Sequence, residues 1–163
     1  MATTPIETAK RNAANRAVAE HFDASYKYIG IGSGSTIVYV VEAIKATKTD
    51  TSRIRFVPTG HQSRQVIINA GLTPIALDSL PTDVLLDVAF DGADEVDEDL
   101  NCIKGGGACL YQEKLVAMQA RKFVCVAGEL SPFALRLPPL SHFHFPFVAV
   151  LSWVLFLGGD KRN

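Results

Sequence analysis

Tyr28-Ile29-Gly30-Ile31-Gly32-Ser33-Gly34-Ser35-Thr36 runs a short apolar strand into a glycine- and hydroxyl-rich loop, and residues 37–46 continue with helical periodicity. A strand, a tight turn and a helix in that order form the opening unit of an α/β sheet. Working outward, the same alternation recurs. Upstream, Thr4-Pro5-Ile6-Glu7 has the form of a helix start: a threonine cap, proline at the first helical position and glutamate three residues after the cap. Ala14, Val18 and Phe22 carry that helix to about Asp23. Downstream, residues 54–57 read as a second strand closed by Pro58, and a helix from about Gln62 to Ala70 stops at Gly71. Residues 73–77 and 85–90 read as third and fourth strands, 110–121 as a helix and 123–127 as a fifth strand. The expected fold is α/β: a Rossmann-like, open and mainly parallel sheet with helices on both faces.

The bulk properties narrow the function classes. A chain of 163 residues has room for one domain with a real core. A net charge of −1 with scattered Lys and Arg gives no nucleic-acid stripe and no general attraction to an acidic membrane. Cys102, Cys109 and Cys125 form no CxxC, so a reduced, cytoplasmic compartment is expected. The first residues lack the apolar core of a signal peptide, and Glu7 argues against a transit peptide. After Ala127 the character changes: four prolines interrupt the pattern, and the apolar run 147–157 is well short of the ~20 residues a membrane span needs. That run reads as a buried strand or an unplaced tail, with a tail anchor the lesser alternative. Residues 1–127 are therefore expected to form a catalytic α/β core and 128–163 a separate apolar tail.

The chemistry concentrates in residues 91–107, Asp-Gly-Ala-Asp-Glu-Val-Asp-Glu-Asp-Leu-Asn-Cys-Ile-Lys-Gly-Gly-Gly, with Glu113 just beyond. Carboxylates move protons, a lysine steadies a developing oxyanion, and glycines let backbone N–H groups approach a ligand. Alone, the acidic residues read equally well as a solvated surface loop; Lys104 set against Gly105, Gly106 and Gly107 favours a site. The loop Gly32–Thr36 suits a phosphate, because free N–H groups and the helix dipole meet there; the plainer alternative is a strand–helix turn with a serine cap. It is neither a dinucleotide G-x-G-x-x-G, since Ser35 occupies the last position, nor a P-loop. Asp97, Asp99 and Asn101 imitate an EF-hand, but Cys102 and Ala108 stand where glycine and glutamate are required. His21 and His61 are isolated and the cysteines are badly spaced for zinc, so no metal is expected. No G-x-S-x-G nucleophile elbow occurs. Ser33–Thr36 and Asp91–Asp94 each follow a predicted strand, so both should lie on one edge of the sheet.

Taken together, Gly32-Ser33-Gly34-Ser35-Thr36, Asp91-Gly92-Ala93-Asp94-Glu95, Lys104-Gly105-Gly106-Gly107 and Gln112-Glu113-Lys114 resemble the A-type ribose-5-phosphate isomerase family. Pro58-Thr59-Gly60-His61-Gln62-Ser63-Arg64 is similar to its eukaryotic branch. The resemblance covers roughly residues 8 to 127. It implies interconversion of ribose 5-phosphate and ribulose 5-phosphate through an enediolate, in the non-oxidative pentose phosphate pathway, with no metal or organic cofactor. By that resemblance Glu113 is the general base, Asp91 and Asp94 handle hydroxyl protons and ring opening, and Lys104 stabilises the enediolate. Gly32, Ser33, Gly34, Ser35, Thr36, Gly105, Gly106 and Gly107 hold the sugar phosphate. The family is homo-oligomeric.

The chain departs from the family after the fifth strand. Members continue with an aspartate, then a phosphate-binding lysine, then a second small α/β domain. Here Gly128 and Ser131 stand in the first two regions and nothing resembles the domain. Gly128-Glu129-Leu130 can be encoded by a run that looks like a splice donor, so the tail is expected to be translated intron. Two other readings stay open: a sugar-phosphate-binding fragment without turnover, and another phosphosugar isomerase or transferase on the same kind of sheet.

Overall fold

The computed structural model describes residues 4–93, 95–96, 102–103 and 109–127. Helix α1 spans Pro5–His21 and begins as the sequence requires: Thr4 Oγ1 accepts from the Glu7 amide at 3.3 Å and Pro5 occupies the first turn. Strand β1 is Tyr28–Ile31, helix α2 Ser35–Ala46, strand β2 Arg55–Pro58 and helix α3 His61–Asn69. Strand β3 is Val88–Gly92, followed by the two-residue strands β4, Glu95–Val96, and β5, Cys102–Ile103. Helix α4, Leu110–Met118, and strand β6, Phe123–Val126, complete the described elements.

Four strands form a wholly parallel sheet in the order β2-β1-β3-β6, while β4 and β5 pair antiparallel as a separate two-stranded sheet. Side chains alternate across the sheet with the strand period of two. Ile29, Ile31, Phe56, Val88, Phe90, Val124 and Val126 point to one face, where α1, α2 and Ile67 of α3 cover them. Val57, Ala89, Phe123 and Cys125 point to the other, against Val116 and Ala117 of α4. Helices therefore lie on both faces, as expected. At Gly30 the sheet lies close under α4, since a Cβ there would meet Val116 Cγ1 at 2.6 Å.

Strand β3 starts at Val88 and ends at Gly92 where the sequence reading had 85–90, and three further boundaries differ for a local reason. Residues 73–77 form no strand: the Phe56 amide donates to the Thr73 carbonyl and the Ile75 amide to the Phe56 carbonyl, but the next amide of that ladder would be that of Pro58, which has no N–H, so only an isolated bridge forms before a 3-10 turn at Leu77–Ser79. Helix α4 stops at Met118 instead of running to Arg121, because Gln119 and Arg121 leave the helix to bond to Leu86 at 2.9 and 2.8 Å. Helix α2 begins at Ser35, two residues earlier than its apolar periodicity suggests, and its cap is Gly34 with no side-chain cap bond, which removes the serine-cap reading. The stop after α3 is as expected: Gly71 takes φ +77° while its amide and that of Leu72 bond back to Ile68 and Ile67.

Candidate functional site

The strand order places a switch point between β1 and β3. From β1 the chain turns through α2 on one face to β2; from β3 it runs through α4 on the other face to β6. Ligand crevices in open α/β sheets form at the carboxyl ends of two such strands. Here those ends carry Gly32–Thr36 and Asp91–Gly92. They are joined directly, for the Gly32 amide donates to the Phe90 carbonyl at 2.8 Å.

Asp91 is the last buried residue of β3 and, by the alternation of the strand, faces the α4 side with Ala89. It is 2% exposed. Its Oδ1 accepts from the Gly92 amide at 2.8 Å. The opposing wall is Gly32, where an added Cβ would lie 1.9 Å from Asp91 Oδ1 and 2.1 Å from its Cγ. Glycine at 32 is thus a steric condition for this aspartate.

Glu113 reaches the loop from α4. It sits in the first turn of α4, where its amide bonds to the Cys109 carbonyl at 3.0 Å, and it is 4% exposed. A buried carboxylate in a helix's first turn is favoured by the dipole. Ser33 Oγ donates to Glu113 Oε1. The first glycine loop and the first turn of α4, 80 residues apart in sequence, are therefore in direct contact. Cys109 also touches the loop after β2: a Cβ on Gly60 would meet its Sγ at 2.9 Å.

Two further residues hold the loop, and sequence reasoning did not assign either to the site. The Gly34 amide donates to Gln62 Oε1 of α3 at 2.9 Å, and Lys10 Nζ of α1 donates to Ser35 Oγ at 2.9 Å. Lys10 is in turn paired with Glu7 at 2.9 Å. Glu7 also accepts from the Tyr39 hydroxyl, and Arg11 lies over the Tyr39 ring at 4.6 Å while pairing with Glu42. Hydrogen bonds from Tyr39 and Lys10 hold the Glu7 carboxyl below its ordinary range. The signal available was faint: Glu7 and Lys10 are one helical turn apart, and Gln62 lies in a stretch read only as a branch marker.

The structure brings together Gly32, Ser33, Gly34, Ser35, Asp91 and Glu113, and Thr36 follows in the first turn of α2 beside Gly92. Asp94, Lys104, Gly105, Gly106 and Gly107 lie outside the described residues, as does the tail 128–163. Among the described residues no cluster of three or more His, Cys, Asp or Glu could hold a metal ion, and no helix is long and apolar enough to cross a membrane. A carboxylate pair around a loop rich in N–H and hydroxyl donors can move protons on a polyhydroxylated, anionic ligand.

Comparison with known proteins gives a consistent result. Residues 55–134 match the family model of ribose 5-phosphate isomerase A (phosphoriboisomerase A). A ribose-5-phosphate isomerase of Schizosaccharomyces pombe is 55% identical over 124 residues, covering 76% of this chain and 44% of that protein. One from Mycosarcoma maydis is 46% identical over 167 residues, covering 98% and 57%. Among solved structures, ribose 5-phosphate isomerase A from Neisseria gonorrhoeae superposes with a TM-score of 0.67 at 38% identity, covering 78% of this chain and 53% of that one. A D-ribose-5-phosphate isomerase in complex with phospho-erythronic acid gives 0.67 at 36%, covering 76% and 52%. The chain spans about half the length of the relatives it matches.

Proposed function

We propose, starting from a chain that belongs to the ribose 5-phosphate isomerase A family, that its site binds an open-chain pentose 5-phosphate and isomerises it between aldose and ketose. The observation that carries this reading is the contact of Ser33 with Glu113 beside the buried Asp91 at the switch point. Glu113 takes the proton from C2 of ribose 5-phosphate and returns it to C1. The electron pair left at C2 passes into an enediolate, and C1 gains the hydrogen that C2 loses. Asp91 and Asp94 carry the hydroxyl protons and assist ring opening, and Lys104 balances the charge on the enediolate oxygens. Gly32–Thr36, at the start of α2, hold the substrate together with Gly105, Gly106 and Gly107. No step calls for a metal or an organic cofactor.

The same reading places the protein in the cytoplasm as a homo-oligomer acting on a small sugar phosphate, without nucleic-acid or membrane partners. Self-association is supported by Tyr111 and Met118, two apolar α4 side chains that are 74% and 70% exposed. It divides the chain into a catalytic core, 1–127, and a tail, 128–163. A second reading, a fragment that binds sugar phosphate without turnover, is favoured by the half-length match to the relatives. Conversion of ribose 5-phosphate to ribulose 5-phosphate by the purified chain, with Glu113→Gln as control, decides between them. Turnover lost in the variant supports the isomerase; a folded chain that binds substrate without converting it supports the fragment.

A further inference from the structure

Three consecutive residues of the glycine loop are each held by a different helix: Ser33 by Glu113 of α4, Gly34 by Gln62 of α3, and Ser35 by Lys10 of α1. The middle contact differs in kind from the other two. Ser33 and Ser35 are held through their hydroxyls, which leaves their backbone N–H groups out of these bonds. Gly34 is held through its backbone N–H. An amide at the cap position of a helix is one of the donors an incoming anion would use. In this protein a neutral side-chain oxygen already occupies it.

The identity of that atom follows from the chemistry. A backbone N–H can only donate, so the carboxamide presents Oε1 to it, and the Nε2 donors belong to the other end of the same planar group. Gly34 also has the conformation most in need of an external hold. Its φ of +97° with ψ of 173° is a region open to glycine alone, and an added Cβ would touch nothing within 4 Å. No side-chain packing fixes the backbone here, and glycine is the most freely rotating residue in an unfolded or loosened segment. The hydrogen bond from α3 restrains it.

We propose that Gln62 is a positioning residue for the sugar-phosphate site: it fixes Gly34, and with it the entry into α2, in the shape that receives the anionic end of the substrate. The inference rests on the proposed sugar-phosphate reading. Glutamine suits the task because its acceptor is neutral. A carboxylate would hold the Gly34 amide at least as well, yet would set a negative charge beside an anion site.

Two variants in the full chain separate these effects: Gln62→Ala removes the acceptor and Gln62→Glu keeps it. The readouts are hydrogen exchange at the Gly34 amide, titration with inorganic phosphate, and the split between kcat and KM for ribose 5-phosphate. Gln62→Ala is expected to accelerate Gly34 exchange and to weaken phosphate binding and raise KM by about tenfold, the scale of one neutral hydrogen bond, with little change in kcat. Gln62→Glu is expected to leave Gly34 protected while phosphate binds more weakly, most of all at low ionic strength. Unchanged Gly34 exchange in Gln62→Ala would overturn the proposal, as would phosphate binding in Gln62→Glu equal to the parent's at low salt. If Gln62→Ala fails to fold, the Gln62→Glu arm still decides, because the residue is exposed and nearly isosteric. A parent chain that binds no phosphate, yet loses Gly34 protection on Gln62→Ala, would uphold the loop-holding role and sink the sugar-phosphate reading.

Discussion

Gly32→Ala isolates the steric logic of the site. The new Cβ would lie 1.9 Å from Asp91 Oδ1, whereas ordinary contact begins at 3.4 Å, so the carboxylate must retreat by about 1.5 Å. Asp91 is 2% exposed, and its Oδ1 is bonded to the Gly92 amide, so retreat breaks that bond or forces β3 to move. Overpacking of this kind costs about 1–3 kcal/mol. In a domain of this size that is a fall in melting temperature of roughly 2–12 °C. If Asp91 serves catalysis, a misplacement of about 1 Å is worth roughly 10²-fold in rate. Calorimetry measures the first effect independently of the second, and a structure of the variant locates the carboxylate. An unchanged melting temperature with Asp91 unmoved would refute the argument that glycine is required at 32. Gly34→Ala is the control: its Cβ meets nothing within 4 Å, so its penalty of about 1–3 kcal/mol comes from φ alone and falls on the loop, leaving Asp91 in place.

Glu113→Gln should leave the fold intact and lower turnover of ribose 5-phosphate by about 10²–10⁴-fold, read as kcat against the parent. Gly60→Ala should destabilise the chain because its Cβ would meet Cys109 Sγ at 2.9 Å. With φ near −172°, Gly60 has no conformational need to be glycine, so Cys109→Ala should rescue it; additive losses in the double variant would contradict this. Phe90→Ala empties the centre of the larger core, where Phe90 is wholly buried, and should cost about 3–5 kcal/mol in denaturant unfolding. His21 has its pKa lowered by burial first and by Lys122 second, against a smaller opposing pull from Glu20. The unfolded chain therefore takes up this proton first, and stability should fall as pH drops below 6.5 towards the lower folded pKa. His21→Gln should flatten that acid limb of a stability–pH curve; an identical limb would show that other groups dominate.

What was legible in the sequence was whatever lies within one turn of a helix or one strand. Thr4, Pro5 and Glu7 announce α1 because capping is a local exchange between a side chain and the next amides. The runs around Ile29 and Phe90 announce β1 and β3 because parallel strands are buried on both faces. Pro58 was legible too, but residues 73–77 were read as a strand although the ladder beyond Phe56 would need an N–H that Pro58 lacks. At the site, Gly32, Asp91 and Glu113 could be picked out by residue type and by their place after strands. Lys10 and Gln62 could not, since their bonds to Ser35 and Gly34 span 25 and 28 residues and no periodicity encodes them. The necessity of Gly32 was likewise hidden, because it depends on a side chain in the neighbouring strand.

The three-helix grip on residues 33–35 also governs the order in which this chain can acquire its chemistry. Helix α1, strand β1 and helix α2 are contiguous, and their contacts can form early. The Gly34 contact waits for α3, and the Ser33 contact, 80 residues distant, waits for α4. Closing long loops is the slow part of folding. A nascent chain that has emerged only as far as β3 would already carry the glycine loop and Asp91, with Glu113 still to come. The Ser33–Glu113 contact is thus completed only once the last described helix has docked.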